Sequence, residues 1–254
     1  MVASRLVSIL LLLALPTTGT AQDVKEPPLP LPRPDTLQDA DAGAQDDAEQ
    51  DDSEQTDTPD APSGELERVY QAACPALLSG RIVGEMTPPL SEGTCGQQSP
   101  IRVDALVVGG RTVALSGAPI TNCAAATALA DWADTVDAHS TAVLGSGLAS
   151  ITTGPGYQCR LRNGADTGFV SEHGLGNALD IMGVTLANGE TVSVLDEWSR
   201  TSRAQPARML EFAHGAACGL FTTVLGPDAN AEHENHFHFD LGCHGQSCTA
   251  RICE

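Results

Sequence analysis

The chain is poor in basic side chains, in aromatic rings and in long apolar runs. Thirteen Lys and Arg residues against thirty-three Asp and Glu give the 254 residues a formal charge of −20. That balance disfavours a nucleic-acid partner, because phosphate binding needs a basic face. No apolar run reaches the about 20 residues that a permanent transmembrane helix requires, which argues against stable membrane insertion once a leader is removed. No Cys-x-x-Cys pair occurs among the eight cysteines, which removes a common signature of cysteine-held zinc. Aromatic residues are only 4% of the chain, yet two phenylalanines are threaded between three histidines in "HENHFHFD", from His233 to Asp240.

What is present divides into three parts. "MVASRLVSILLLLALPTTGTAQ" places Arg5 before an apolar run from Leu6 to Leu15, then Pro16 and the small-residue sequence Gly19, Thr20, Ala21. Residues 1–21 therefore read as a cleaved secretory signal, with no cysteine near Ala21 to carry a lipid. Residues 22–64 hold thirteen acidic residues, two basic ones and seven prolines, with almost no large apolar side chains. Such a segment buries too little surface to offset its ordering entropy and is expected to be a disordered, self-repelling linker. With this −11 segment and Arg5 set aside, −10 remains on the rest of the chain. Residues 65–254 read as one folded domain. The even set of cysteines in an exported chain points to disulfides, with a connectivity that the spacing leaves open, and to a periplasmic or secreted protein.

Within the domain, "IRVDALVVGG" and "TVALS" read as two strands joined at Gly109 and Gly110. "NCAAATALADWADTVDAH" reads as a helix capped by Asn122 and ending near Ala138. "YQCRLR" is expected as a strand after a glycine-rich stretch to Gly156, and "ALDIMGVTLANGETVSVL" as a hairpin about Asn188 and Gly189. "RAQPARMLEFAHGAACG" reads as a helix closed by Gly219, and "HFHFDL" as the last strand. The pattern is α+β: a small antiparallel central sheet with flanking helices.

Side chains alternate across a strand, so His236, His238 and Asp240 share one face and Phe237 and Phe239 the other. The phenylalanines are read as core. "HENH" is not the His-Glu-x-x-His helix of one class of zinc proteases. "DANAEH" fails as a calcium loop, because His233 stands where glycine and Phe239 where glutamate is needed. Upstream, "SEHGLGNALDI" carries His173 and Asp180 across Gly174 and Gly176, which permit a tight path. With His238 these supply two imidazoles and a carboxylate, three protein ligands with a fourth position open. That is the donor set of a catalytic zinc, whereas structural zinc is closed by four protein ligands.

The order Ser171-x-His173-x-x-Gly176-x-Ala178-x-Asp180 followed by His236-x-His238 resembles the zinc peptidases grouped with lysostaphin, the D-alanyl-D-alanine metallopeptidases and hedgehog. The triple His233-x-x-His236-x-His238 resembles the penicillin-insensitive murein endopeptidase within that group. "YQCRLRNG", "SEHGLGNALDI" and "TVLGPDANAEHENHFHFDLG" look most like the bacterial extensin-like protein C-terminal domain family. The resemblance implies a hedgehog-like α+β fold, Zn2+ held by His173, Asp180 and His238, and hydrolysis of peptidoglycan peptides by activated water. It also shows a departure: Asn235 stands where the D-alanyl-D-alanine enzymes carry a glutamate base. The base is then expected to be His236 or His233, with Glu232 and Glu234 nearby. Arg160 or Arg162, the former fitting the family motif better, is expected to face the oxyanion or a substrate carboxylate. The alternative is a cell-wall-binding or scaffold protein that keeps the metal without turnover. His139, His214 and His244 are given no catalytic part.

Overall fold

Ile101–Val108 shows how the sheet is specified: Ile101 and Val103 point inward and are fully buried, while the alternating Arg102 and Asp104 remain half-buried and pair with each other. This strand sits in a computed structural model that describes residues 69–199 and 201–254. The expected signal and acidic linker lie outside the described residues. The strands are β1 (Ile82–Met86), β2 (Leu90–Glu92), β3 (Cys95–Gln97), β4 (Ile101–Val108), β5 (Arg111–Leu115), β6 (Ile120–Thr121), β7 (Leu148–Thr153), β8 (Ala178–Leu186), β9 (Thr191–Ser193), β10 (Thr223–Leu225), β11 (Phe237–Asp240) and β12 (Ile252–Cys253). The helices are α1 (Pro75–Leu78), α2 (Cys123–Leu144), α3 (Val194–Glu197) and α4 (Gln205–Ala217).

The α+β class holds, but the sheet is not small. Ten strands form it, in the order β1-β4-β5-β7-β8-β11-β10-β12, with β6 beside β4 and β9 beside β8; β2 and β3 make a separate hairpin. Nor is it purely antiparallel, since β5 with β7 and β10 with β12 run parallel. A parallel pair needs a long crossover, and α2 is the crossover between β5 and β7. Strand β7, "LASITT", lies inside the glycine-rich stretch to which the sequence assigns no element, and it lacks the apolar alternation that would have marked it.

The two hairpins at Gly109–Gly110 and Asn188–Gly189 form as expected. Helix α2 starts where Asn122 accepts a hydrogen bond from the Ala125 N–H. It runs on past Ala138 to Leu144 because no breaker occurs before Gly145, which ends it in the left-handed conformation at φ 67°. Helix α4 ends at Ala217 with right-handed Cys218 as its cap, so Gly219 is not the left-handed stop that the sequence suggests. "YQCRLR" is not a sheet strand. It runs beside the His173 turn, with Gln158 N–H donating to His173 C=O, Ser171 N–H to Arg160 C=O, and a single bridge from Leu161 to Val170.

The core is filled by one face of α2 (Ala125, Ala126, Leu129, Trp132, Ala133, Val136) against the sheet, with α4 alongside. Trp132 donates from its indole N–H to Ala213 C=O in α4 and meets Phe239 edge-on at 5.6 Å. Phe239 also stacks on Phe221, and Phe237 packs against Trp198 and His214. All eight cysteines are in disulfides: Cys74–Cys123, Cys95–Cys159, Cys218–Cys253 and Cys243–Cys248. Phe239→Ala, which empties the junction of α2 with β11, is expected to lower unfolding stability by about 3–5 kcal/mol, measured by chemical denaturation of the full chain.

Candidate metal centre

Three elements bring the site together. Strands β8 and β11 pair antiparallel with His238 directly opposite Asp180, so the two side chains emerge side by side on one face. His173 comes from the turn Glu172–Leu175, which begins with Ser171 accepting from the His173 N–H and ends at Gly176 with φ 59°. A side chain there would be strained, and a Cβ on Gly174 would lie 2.8 Å from both Cys95 Sγ and Val170 Cγ1. The turn is anchored to the start of α2: Gly176 C=O accepts from the Asn122 N–H at 2.7 Å and from the Thr121 hydroxyl at 3.0 Å.

His173 Nε2 lies 3.1 Å from His238 Nδ1, and Asp180 Oδ1 lies 3.2 Å from each of those nitrogens. Donor atoms about 2.0–2.1 Å from a four-coordinate zinc stand about 3.3 Å apart by tetrahedral geometry. The triangle therefore fits a single ion of that size. Its outer partners fit as well. His173 Nδ1–H donates to Gly156 C=O at 2.6 Å, which leaves Nε2 as the ligand atom, and His238 Nε2–H donates to Asp240 Oδ2 at 2.9 Å, which leaves Nδ1. Each imidazole is thus held in the tautomer that a metal requires. A second grouping, His214 with Cys218 and Cys253, does not qualify, because its two sulfurs are joined in a disulfide.

The electrostatics follow from this crowding. Burial works to raise the Asp180 carboxyl, but the close contacts with His173 and His238 override it and hold the group well below the usual carboxylate range. Burial likewise opposes charge on His238, yet Asp180 on one side and Asp240 on the other push it up to about 9. Without a cation the imidazolium neutralises the carboxylates, so a metal at this place displaces a proton.

The remaining expected residues fall around the triangle. His236 directs Nε2 toward Asp180 Oδ1 at 3.6 Å, while its Nδ1 is paired with Asn235 Oδ1 at 2.7 Å. His233, fixed by Asn230 Oδ1 at 2.7 Å, packs against His236 and His238 with ring centres 5.1 and 5.6 Å away. Burial keeps both neutral near pH 7: His236 is lowered, and His233 is lowered to about 4. Glu232 and Glu234 are exposed. Arg160 and Arg162 line a cleft of about 350 Å3 together with His233, His238 and Asp240. Arg162 is already paired with Glu172 and lies over the Phe169 ring. Among the described residues Arg160 has no carboxylate partner; it contacts Gln158 through Nε. His139 stacks on Phe212, and His214 is buried with Nε2 on Glu254 C=O, away from the triangle. Strand alternation alone puts Asp240 on the histidine face, and only the side-chain geometry shows it orienting His238.

A family model described as extensin-like protein C-terminus matches residues 72–254, which include every residue of this site. The chain belongs to that family. No curated protein and no solved structure matches it. In this extensin-like domain the paired charges make a prediction about pH. A folded-state value for His238 of about 9, above its ordinary 6.5, stabilises the metal-free fold fully below pH 6.5 and loses that contribution as pH rises through 9. The melting temperature of chelated protein is therefore expected to fall between pH 6.5 and 9, and His238→Ala is expected to flatten that slope.

Proposed function

We propose that the chain is an exported zinc-dependent peptidase that hydrolyses peptide bonds in the stem peptides or crosslinks of peptidoglycan. The observation that carries this reading is the His173–Asp180–His238 triangle with a further imidazole, His236, 3.6 Å from the shared carboxylate oxygen. Three protein donors leave a four-coordinate ion one position for water or substrate. The motif resemblance to the lysostaphin, D-alanyl-D-alanine peptidase and hedgehog group supports both the chemistry and a hedgehog-like core around β8 and β11. Four disulfides suit an oxidising compartment, the periplasm or the exterior.

Zinc, when bound, supplies Lewis acidity and lowers the pKa of a water toward about 7. His236 takes the proton as water adds to the amide carbonyl carbon, then returns it to the nitrogen as the C–N bond breaks, so that acid and amine leave. Its Nδ1–H rests on Asn235, and its depressed basicity leaves Nε2 unprotonated at neutral pH. His233, neutral for the same reason, is the second candidate for this proton. Arg160, without a carboxylate partner among the described residues, stabilises the oxyanion or pairs with a substrate carboxylate.

One feature favours a second reading. Asn235 occupies the place of the glutamate base of the D-alanyl-D-alanine enzymes, as expected of a wall-binding or scaffold protein that retains its metal. The two separate on purified sacculi. The full chain is expected to release soluble muropeptides, to stop with a chelator and to recover with zinc. His236→Ala is expected to slow release by about 10²–10⁴-fold with zinc content and sacculus binding unchanged. Binding without release by the zinc-loaded wild type would establish the scaffold instead.

A further inference from the structure

A second cleft, of about 240 Å3, lies on the other side of the Asp180–His238 pair from the one that holds Arg160. The pairing of β8 with β11 fixes this order, with Asp240 opposite Ala178, His238 opposite Asp180 and Phe237 opposite Ile181. Asp240 and His238 line the first cleft. Met182 stands two residues beyond Asp180 on the same face of β8, 39% exposed, and lines the second, with Asn235 at its edge. Asn235 ties this cleft to the proposed base, since its side-chain oxygen holds His236 Nδ1 at 2.7 Å. On the β7 side the neighbour of Asp180 is Gly154, whose N–H donates to Asp180 C=O at 3.0 Å and which has no side chain to stand between the clefts.

The two clefts differ in chemistry. The first carries Arg160, Arg162, Glu172, Asp240 and Glu254 besides its histidines. No ionisable side chain lines the second, whose walls include Thr152, Met182, Thr191 and Leu195. Leu195, on α3, is 61% exposed and forms an apolar patch there with Met182. An apolar patch rimmed by polar groups marks a place of contact. A charged group entering it would lose water without gaining a partner, whereas a methyl or methylene group gains by burial.

We propose that the second cleft is the subsite for a short, uncharged side chain on one flank of the cleaved bond, while the charged flank of the peptide lies toward Arg160 in the first. This subsite rests on the peptidase reading above and narrows its substrate class to peptides that are neutral and apolar on one side of the bond and charged on the other. Met182 and Leu195 then determine specificity without being donors to the metal.

The test uses the full chain and crosslinked muropeptides cut from purified sacculi by a muramidase. Leu195→Asp and Leu195→Lys place opposite charges in the neutral cleft at an exposed position, and the melting temperature checks that the fold is kept. Both are expected to lower kcat/KM by about 10–200-fold, carried by KM, and to reduce the fraction of chelated, zinc-free protein that co-sediments with sacculi. Zinc affinity, measured by competition with a chelator, is expected to stay within about twofold of wild type, and Leu195→Met is expected to restore both substrate readouts. Mass spectrometry of the wild-type products is expected to show a cut bond with a short, uncharged residue on one flank. Both substrate readouts within about twofold of wild type, loss with one sign of charge only, equal loss in Leu195→Met, a matching loss of zinc affinity, or ionisable side chains on both flanks of the cut bond would overturn the subsite and leave the peptidase reading standing. No cleavage by the zinc-loaded wild type would overturn the peptidase reading and this extension together.

Discussion

The register between β8 and β11 is the constraint from which the site follows. Because Asp180 and His238 are direct partners in an antiparallel pair, their side chains stand on the same face at the closest spacing a sheet allows. A slip of one residue would exchange them for Phe237 or Phe239 and turn the histidine into the core. The phenylalanines prevent it: both are buried against Trp132, Phe221, Trp198 and His214, so the apolar face of β11 locks the register that the polar face needs. Core packing and site geometry are two faces of one four-residue strand.

The third donor arrives from outside the sheet and is braced separately. The His173 turn hangs through Gly176 from Thr121, the end of β6, and from Asn122, the cap of α2, and the segment beside it is tied to β3 by Cys95–Cys159. Gathering two imidazoles about one carboxylate is costly for a buried site unless the charges are neutralised. Asp180 and Asp240 flank His238 and do so with a proton. The hydrogen bonds that satisfy the metal-free fold also orient the atoms a cation would use, so the cation meets a site that needs little rearrangement.

The sequence revealed much of this site and less of the fold around it. His173, Asp180 and His238 could be read because ligand chemistry leaves residue types and spacing in the chain, and "HFHFD" shows its two faces by alternation alone. Strand β7 could not, since "LASITT" is central but buries only Leu148, Ile151 and Thr153, without alternation, and sits among glycines. "YQCRLR" misled for the opposite reason: its composition suits a strand, but a disulfide and a turn claim its backbone. The mixed direction of the sheet follows from α2 acting as a crossover, a property of connection and not of any local pattern. Disulfide pairing and the hydrogen bond from His238 to Asp240 Oδ2 depend on side chains meeting in space, which spacing does not encode.

The proposed function requires one cation shared by His173, Asp180 and His238. The most direct measurement is metal content of the full chain with X-ray absorption at the zinc edge, for wild type and Asp180→Asn. The expected result is one zinc per chain, bound by imidazole nitrogen and oxygen at about 2.0–2.1 Å and largely lost in the variant. No stoichiometric zinc in the wild type, sulfur in its coordination shell, or full retention in Asp180→Asn would contradict it.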